Sequence, residues 1–393
     1  MSNPSLKPGW KMVNFGEVVK NANLVERDPE ANDIERIVGL EHIDPENLHI
    51  RRWNSVADGT SFTRKFIPGQ TLFGKRRAYQ RKVAYAEFEG ICSGDILTFE
   101  PKNREVLLPE LLPFICQSDA FFDHALGTSA GSLSPRTSWA ALKDFEFPLP
   151  PLDEQKRIAE ILWATDEAVE KYKVVLRDAT CIRDQSFLSE VLSSGWPTKP
   201  TSELSVAPVT KGTTPKKGEV TGPATIPFIK VYNLTFTGDL DFTIEPTYVD
   251  KNTHESGLAR SKVLPNDILI NIVGPPLGKI SVVPSAHKEW NMNQAIARIR
   301  IEHTLLRKYF VAFFKTDHAQ TWFQKHSKKT SGQQNLTLKI VQDFPVPLPP
   351  EDDLKRILAR FDSADESVQA ARRQISALEA LMKGLVNREV ANV

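Results

Sequence analysis

One segment of this chain occurs twice, and the duplication limits what the chain can fold into more than any other feature. The first copy, Asp144 to Glu167, reads DFEFPLPPLDEQKRIAEILWATDE, and the second, Asp343 to Glu366, reads DFPVPLPPEDDLKRILARFDSADE. Proline fixes φ and forces the residue before it out of the helical region, so each PLPP run stays extended, and the charged, leucine-rich stretch behind it reads as a helix. Pro151 and Pro350, Lys156 and Lys355, Arg157 and Arg356, Ile158 and Ile357, and Asp166 and Asp365 all stand 199 positions apart. A weaker echo pairs Gly9-Trp10 and Glu17 with Gly195-Trp196 and Glu203 at an offset of 186, so the second unit carries 13 extra residues. Two copies of a domain followed by a helix make a tandem duplication with pseudo-twofold character. A solenoid would need a longer series of short repeats.

The helices are readable in more detail. Ile357, Phe361, Ala364, Val368, Ala371, Ile375, Leu378, Met382 and Leu385 step by four and three, the heptad seam of a coiled coil. The first helix keeps that register through Ile158, Leu162, Thr165, Val169, Tyr172, Leu176 and Ala179, then slips, with Ile182, Phe187, Leu188 and Val191 carrying the apolar face. About 40 residues at 1.5 Å each make a rod of about 60 Å, longer than a domain of ordinary size is wide. An amphipathic helix packed only on its own domain does not need such length, and pairing the two seams antiparallel buries both.

Between these markers the units share an order of parts. In the first, Ile34, Ile37, Val38, Leu40 and Ile43 form a buried strand or a short helix, which periodicity does not separate. KVAYAEF and DILTF alternate as strands, Leu107 to Leu126 is the internal helix, and a hydroxyl-rich loop, GTSAGSLSPRTSW, follows it. In the second, IPFIKVYNL and NMNQAIARIRI read as strands, and Asn266 to Pro284 matches the position and character of the earlier GDILTF strand. Leu305 to His326 is the internal helix and KTSGQQNLTL the polar loop. The expected fold is α/β (α+β), two tandem domains with mixed sheets, separated and joined by two long antiparallel coiled-coil helices. The boundaries are 1–150, 151–194, 195–350 and 351–393.

At 393 residues, 40% hydrophobic and 25% charged, the chain falls in the soluble globular class. No apolar run approaches the roughly 18 residues that would span a bilayer, the MSNPSLKPGW start has no apolar signal core, and Cys92, Cys116 and Cys181 are odd in number and scattered. A cytoplasmic protein without membrane association is expected. The net charge of +1 hides segregation: Arg51 to Lys82 holds nine Lys and Arg against one acid, Asp58, and Arg307 to Lys329 holds six against Asp317. The basic charge lies in the domains, away from the helices.

Catalytic signals fail one by one. GPPLGK, Gly274 to Lys279, is one residue short of a phosphate loop, places Ile280 where Ser or Thr should meet magnesium, and loses two amides to proline. NIVGPP resembles the Asn-Pro-Pro motif of adenine methyltransferases only faintly, and no glycine-rich cofactor loop follows a first strand. The histidines have no metal-binding spacing and no cysteine pair exists. No catalytic residue, metal or cofactor is expected in this chain. The basic windows carry more: GKRRAYQRK, Gly74 to Lys82, interleaves cations with Tyr79 and Gln80, a composition that neutralises phosphates while leaving side chains for bases. Each domain joins basic segments to a polar loop, with Ser129, Ser132, Arg136 and Thr137 in one and Gln333, Gln334 and Asn335 in the other, residue types that read base edges.

Two variable domains, each closed by a phenylalanine and PLPP segment that runs into a Lys-Arg-Ile helix, resemble the DNA-specificity subunit of type I restriction-modification systems. The resemblance covers nearly the whole chain, including Trp10 to Glu17, Gly74 to Phe99, Gly212 to Lys216, Asn266 to Gly278 and Asn291 to Ala297. Leu152-Asp153-Glu154-Gln155 stays close to the family's Leu-Glu-Glu-Gln, whereas Glu351-Asp352-Asp353-Leu354 departs from it. The resemblance implies a non-catalytic, sequence-specific reader of double-stranded DNA, with each target-recognition domain taking one half of a bipartite sequence. It implies that the helices set the spacing and dock two methyltransferase subunits carrying S-adenosylmethionine, and that restriction and motor subunits using ATP and magnesium can join for antiviral defence. Candidate DNA contacts are Lys75, Arg76, Arg77, Tyr79, Arg81, Lys82 and Arg136 in the first domain, and Lys216, Lys217, Lys230, Asn233, Asn293, Gln333, Gln334 and Asn335 in the second. Candidate partner contacts are Pro150, Pro151, Lys156, Arg157, Pro349, Pro350, Lys355 and Arg356. A coiled-coil scaffold with domains bound to something other than DNA explains the helices equally and leaves the basic windows unexplained; a modification or antiphage system without restriction shares the DNA chemistry. The target sequence, the spacer length and the division between base and phosphate contacts leave no mark in the sequence.

Overall fold

The computed structural model describes residues 6–215, 225–330 and 333–391. It divides into two compact units, 1–175 with 371–393 and 176–370, so each long helix contributes to both. The first long helix, Leu152–Ser193, has 42 residues and the second, Glu351–Val386, has 36. Among the described residues no helix is long and apolar enough to cross a membrane.

Each unit contains the same two sheets. In the first, Ile96–Pro101 pairs antiparallel with Thr71–Gly74, which pairs with Val83–Tyr85, and a second sheet is centred on Gly90–Cys92, parallel to Arg36–Val38 and antiparallel to Arg64–Phe66. In the second, Ile296–Ile299 pairs with Ile268–Asn271, which pairs with Ile280–Val282, and Trp290–Met292 runs parallel to Ile226–Ile229 and antiparallel to Lys262–Val263. Mixed sheets are therefore present in both. The pairing corrects one expectation: the counterpart of the GDILTF strand is Ile296–Ile299, not the run beginning at Asn266. Ile268–Asn271 occupies the place of Thr71–Gly74, because it lies between two antiparallel neighbours.

Other expectations change at particular residues. The Ile34 to Ile43 cluster is both of the alternatives, a strand at Arg36–Val38 followed by a 3-10 turn at Leu40–His42. Each internal helix is a pair. Ser118 caps Asp119–Gly127 by accepting from the Phe121 N–H, and Thr316 caps Asp317–His326 by accepting from the Ala319 N–H, so the helix before each, Leu112–Gln117 or Thr304–Phe314, must end.

The helical seam is buried in part, through Ile357, Phe361, Val368, Ala371 and Ile375 on one helix and Ile158, Leu162, Thr165 and Val169 on the other. Ala364, Leu378, Met382 and Leu385 are half-buried, as are Leu176 and Ala179, and Tyr172 is exposed. In the second unit the helices run antiparallel: Phe187 packs on Phe361 at 5.1 Å, and Glu190 accepts from Arg356 and Arg360. Ile182 does not face the seam; it is 64% exposed, and Arg183, 7% exposed, takes that place. Its guanidinium meets Asp365, Asp184 and the Phe361 ring. Removing one member of a buried pair strands the other, which typically costs about 3–5 kcal/mol. Asp365→Leu is expected to cost about 3 kcal/mol in urea unfolding, less than the upper figure because Asp184 remains, and Arg183→Leu/Asp365→Leu to recover most of it. An Asp365→Leu chain as stable as the parent would refute this role.

The residue at the duplicated position, Asp166, has a different partner in the first unit. It accepts from His49 Nε2 at 2.7 Å, while Glu87 faces His49 Nδ1 at 2.6 Å. The Asp166 hydrogen bond, opposed by burial and reinforced by Glu87, raises the imidazole above its ordinary value of 6.5. Because the folded value is the higher one, this stabilisation is complete below the unfolded value and is lost as pH rises through the folded one. His49→Gln should flatten the fall in melting temperature of the first unit above about pH 6.5, which a calorimetric pH series reads directly. An unchanged slope would remove His49 from the account.

Candidate nucleic-acid interface

The first domain's basic segment is the connection between the paired strands Thr71–Gly74 and Val83–Tyr85. Its backbone is fixed from both sides. The Lys75 N–H donates to the Asp95 carbonyl at 2.9 Å, the Thr137 N–H to the Lys75 carbonyl at 3.0 Å, and the Arg77 N–H to the Pro135 carbonyl at 2.7 Å. Arg76 and Arg136 form an antiparallel bridge, as do Ala130 and Arg136. The hydroxyl-rich loop is thus a hairpin laid against the basic segment. Arg77 and Arg81, with φ of 55° and 51°, flank a single 3-10 turn, Ala78–Gln80. Left-handed backbone at non-glycine residues costs on the order of 1 kcal/mol each, so the surroundings hold this turn in place.

The cations divide into two groups. Arg76 Nε donates to Ser134 Oγ at 2.6 Å and its guanidinium lies 3.6 Å from Asp95, which also accepts from Arg136 Nε at 3.0 Å. Burial pushes the Asp95 carboxyl up, but the Arg136 hydrogen bond and the charges of Arg136, Lys75 and Arg76 outweigh it and hold the group below the usual carboxylate range. Burial, then the neighbouring Arg64 charge, lowers the Lys75 ammonium. One carboxylate here serves Lys75, Arg76 and Arg136, with Arg64 close by, and no ion pair reaches Arg77 among the described residues. Tyr79 is 55% exposed. An electropositive surface of this kind attracts an anion.

Arg81 and Lys82 belong to the other group. Arg81 bridges Glu46 and Asp119 at 2.8 Å each, donates to the Gln117 carbonyl and lies 4.4 Å from the Phe122 ring, while Lys82 Nζ donates to the Leu40 carbonyl at 2.6 Å. Their hydrogen-bonding capacity is turned toward the protein, where they hold the turn's trailing end.

In the second domain the corresponding segments also meet. Val273 and Gly274, which lead out of Ile268–Asn271, pair with Asn335 and Gln334, and Lys328–Thr330 pairs with Gln333–Asn335. The expected Gln333, Gln334 and Asn335 therefore form the middle strand of a small sheet beside the Gly274 loop. Asn233 is fully buried: its amide donates to the Asp241 and Ile244 carbonyls and accepts from the Lys230 N–H, which commits it to its own loop. The Lys230 ammonium lies 5.8 Å from the Tyr232 ring, and Asn293 Oδ1 accepts from the Ala295 N–H. Gly212 runs so close to this turn that a Cβ would meet the Asn293 carbonyl oxygen at 2.0 Å, so alanine cannot stand there without a backbone shift. Lys216 and Lys217 lie outside the described residues.

The candidate partner contacts sit at the helix junctions. Pro150 is buried, and Pro151, Lys156 and Arg157 are exposed, Arg157 paired with Glu154. Pro349 is half-buried, Pro350 and Lys355 are exposed, and Lys355 pairs with Glu351. Arg356 is engaged within its unit by Glu190 and Asp353. One cluster was not legible in the sequence: His254, Glu255 and Glu289 bring ligand atoms within 4.8 Å of one another. Lys262 Nζ lies 2.6 Å from Glu255 and 3.8 Å from Glu289, where it supplies the positive charge. The Asn291 amide, oriented by the Leu258 carbonyl and the Met292 N–H, donates to His254 Nδ1 and leaves the ring proton on Nε2 toward Glu289. That arrangement is an ion-pair cluster built around a lysine.

The profile described as Type I restriction modification DNA specificity domain matches this chain twice, over residues 9–174 and 194–380. The chain belongs to the type I restriction-modification DNA specificity family. Among curated members of the family, the EcoDI specificity subunit of Escherichia coli is 28% identical over 180 residues, 43% of this chain and 38% of that protein. The EcoBI specificity subunit of the same organism is 25% identical over 317 residues, 69% of this chain and 64% of that protein. The chain's match thus spans less than two thirds of the length of each. The fold is shared with a solved type I R-M system chain, at 20% identity and a TM-score of 0.56 over 98% of both chains. It is also shared with the S subunit from M. genitalium, at 15% identity and a TM-score of 0.50 over 99% of both.

Proposed function

We propose that this chain is the DNA-reading, non-catalytic specificity subunit of a type I restriction-modification complex, each of its two domains taking one half of a bipartite duplex sequence. The observation that carries the reading is the pairing of segments. In each domain the connection after one central strand, Lys75 to Lys82 or Val273 to Lys279, is laid by backbone bonds against a polar segment, the hairpin Ala130–Arg136 in the first and the strand Gln333–Asn335, itself paired with Lys328–Thr330, in the second. In the first domain that junction gathers Lys75, Arg76 and Arg136 around one carboxylate, with Arg77 next in the chain and reached by no ion pair among the described residues, the excess positive charge that phosphates neutralise. Arg81, Lys82 and Asn233 support the loops, while Arg76, Arg77, Tyr79, Arg136, Gln334 and Asn335 are the residues for contact.

The long helices are the spacer. A helix of 42 residues is about 63 Å long, close to two turns of B-form DNA at about 34 Å each. Their exposed junctions, with Lys156 and Lys355, dock two methyltransferase subunits that carry S-adenosylmethionine, and ATP and magnesium belong to motor and nuclease subunits. The test is to co-express the chain with the methyltransferase encoded beside it and map adenine methylation across the host genome. The expected result is a bipartite motif that disappears on deletion of this chain and changes in one half when residues 1–150 are exchanged. Methylation that is independent of this chain, in a complex shown to have formed, would overturn the proposal.

A further inference from the structure

Leu133 is the most exposed large apolar side chain among the described residues, at 92%. Scattered surface leucines are ordinary and need no account. This one stands in the middle of a five-residue connection closed by reciprocal backbone bonds between Ala130 and Arg136, at 3.0 and 2.9 Å. Gly131, at a φ of 108°, makes the turn, and an L side chain is strained there. The next residue, Ser134, accepts from Arg76, and the following one, Pro135, accepts from the Arg77 N–H. The leucine is therefore presented on a loop pinned to a cationic segment, through the Arg76 side chain, the Arg77 backbone and the bridge at Arg136.

We infer that Leu133 is a wedge that enters the minor groove of the first half-site and partly unstacks one base step, with the three arginines on the flanking phosphates. The inference rests on the DNA-reading function proposed above and adds how that reading is achieved. An apolar side chain between cations has the chemistry of groove-inserting wedges, which exchange lost base stacking for a bent duplex with more contact. A kink of this sort also makes specificity depend on how easily a step deforms, at positions no polar group touches. No other occupant suits the loop as well: a protein groove that buried the leucine would also have to neutralise Arg77 and two further arginines, Arg76 and Arg136, that share one aspartate.

The experiment uses the complex with its methyltransferase and duplexes carrying the motif found by methylation mapping, with 2-aminopurine at successive positions of the first half-site other than the methylated adenine and its neighbours, which the methyltransferase itself unstacks. Wild type is expected to brighten 2-aminopurine at one step. Leu133→Ala is expected to abolish that signal and to weaken binding of the motif roughly tenfold or more, with the salt slope unchanged; Leu133→Met should retain both. Leu133→Ala with wild-type brightening and affinity would overturn the wedge and leave DNA reading standing. So would lost affinity without any brightening in wild type, which describes a groove contact with no unstacking. A wild-type complex with neither motif preference nor salt dependence would instead bring down the underlying function.

Discussion

Replacing Arg76, Arg77 and Arg136 together by alanine should reduce the affinity of the assembled complex for any duplex on the order of a hundredfold. It should also lower the slope of log K against log salt by about 2.7, close to 0.9 for each phosphate contact. The cost to the fold should be small, because Arg76 and Arg136 are 39% and 50% exposed and surface pairs contribute about 0–1 kcal/mol. Arg81→Ala is the informative contrast. Its guanidinium serves Glu46, Asp119, Gln117 and Phe122, so its loss should lower the melting temperature of the first domain and leave the salt slope nearly intact. Fluorescence anisotropy across a salt series, with calorimetry on the same samples, separates the two. Equal salt slopes for wild type and the triple variant would show that these arginines are not phosphate contacts.

A chain ending at residue 380 should lose the first domain's stability while the second domain still melts cooperatively. Val386 is buried in the first domain's core, and Met382 and Leu385 pack against it. Asn387 closes a two-way hydrogen bond with Asp119, donating to its carboxylate at 2.7 Å and accepting from its N–H at 3.0 Å, and Glu389 pairs with Lys7. At about 2 kcal/mol for a buried aliphatic side chain and less for those half covered, the segment contributes on the order of 5 kcal/mol, comparable to the net stability of many domains. Calorimetry of the truncated chain should show the first transition lowered or missing. Two unchanged transitions would mean that the segment only decorates the surface.

Much of this fold was legible because its strongest signals are local. The prolines stop one kind of structure, the heptads that follow specify another, and an offset of 199 repeats both. Sheet pairing is not local. GDILTF and the run after Asn266 are both short apolar stretches behind a turn with aspartate, and only their neighbours tell that the second takes the place of Thr71–Gly74. Arg183 escaped because a periodicity of apolar residues has no term for a guanidinium paired by Asp365. At the interface, the sequence counted Arg76, Arg77, Arg81 and Lys82 alike as cations. The turn at Ala78–Gln80 sends the last two inward, and the backbone bridges bring Arg136 from a distant loop to join the first two. Leu133 was passed over for the hydroxyls around it.

The family's glutamine at the first junction, Gln155, is fully buried; its amide donates to the Val106 and Pro150 carbonyls and accepts from the Leu108 N–H. At the duplicated position Leu354 is packed into the second domain's core with no polar group to satisfy. The two junctions are therefore keyed differently, one by hydrogen bonds and the other by shape. For chimeric chains assembled from related members, this sets where the chain can be cut. A crossover in the PLPP run gives the wrong key to a domain moved from one position to the other, leaving either three orphaned polar groups or an amide in an apolar socket. A crossover one helical turn later lets every domain travel with the residue that seats it.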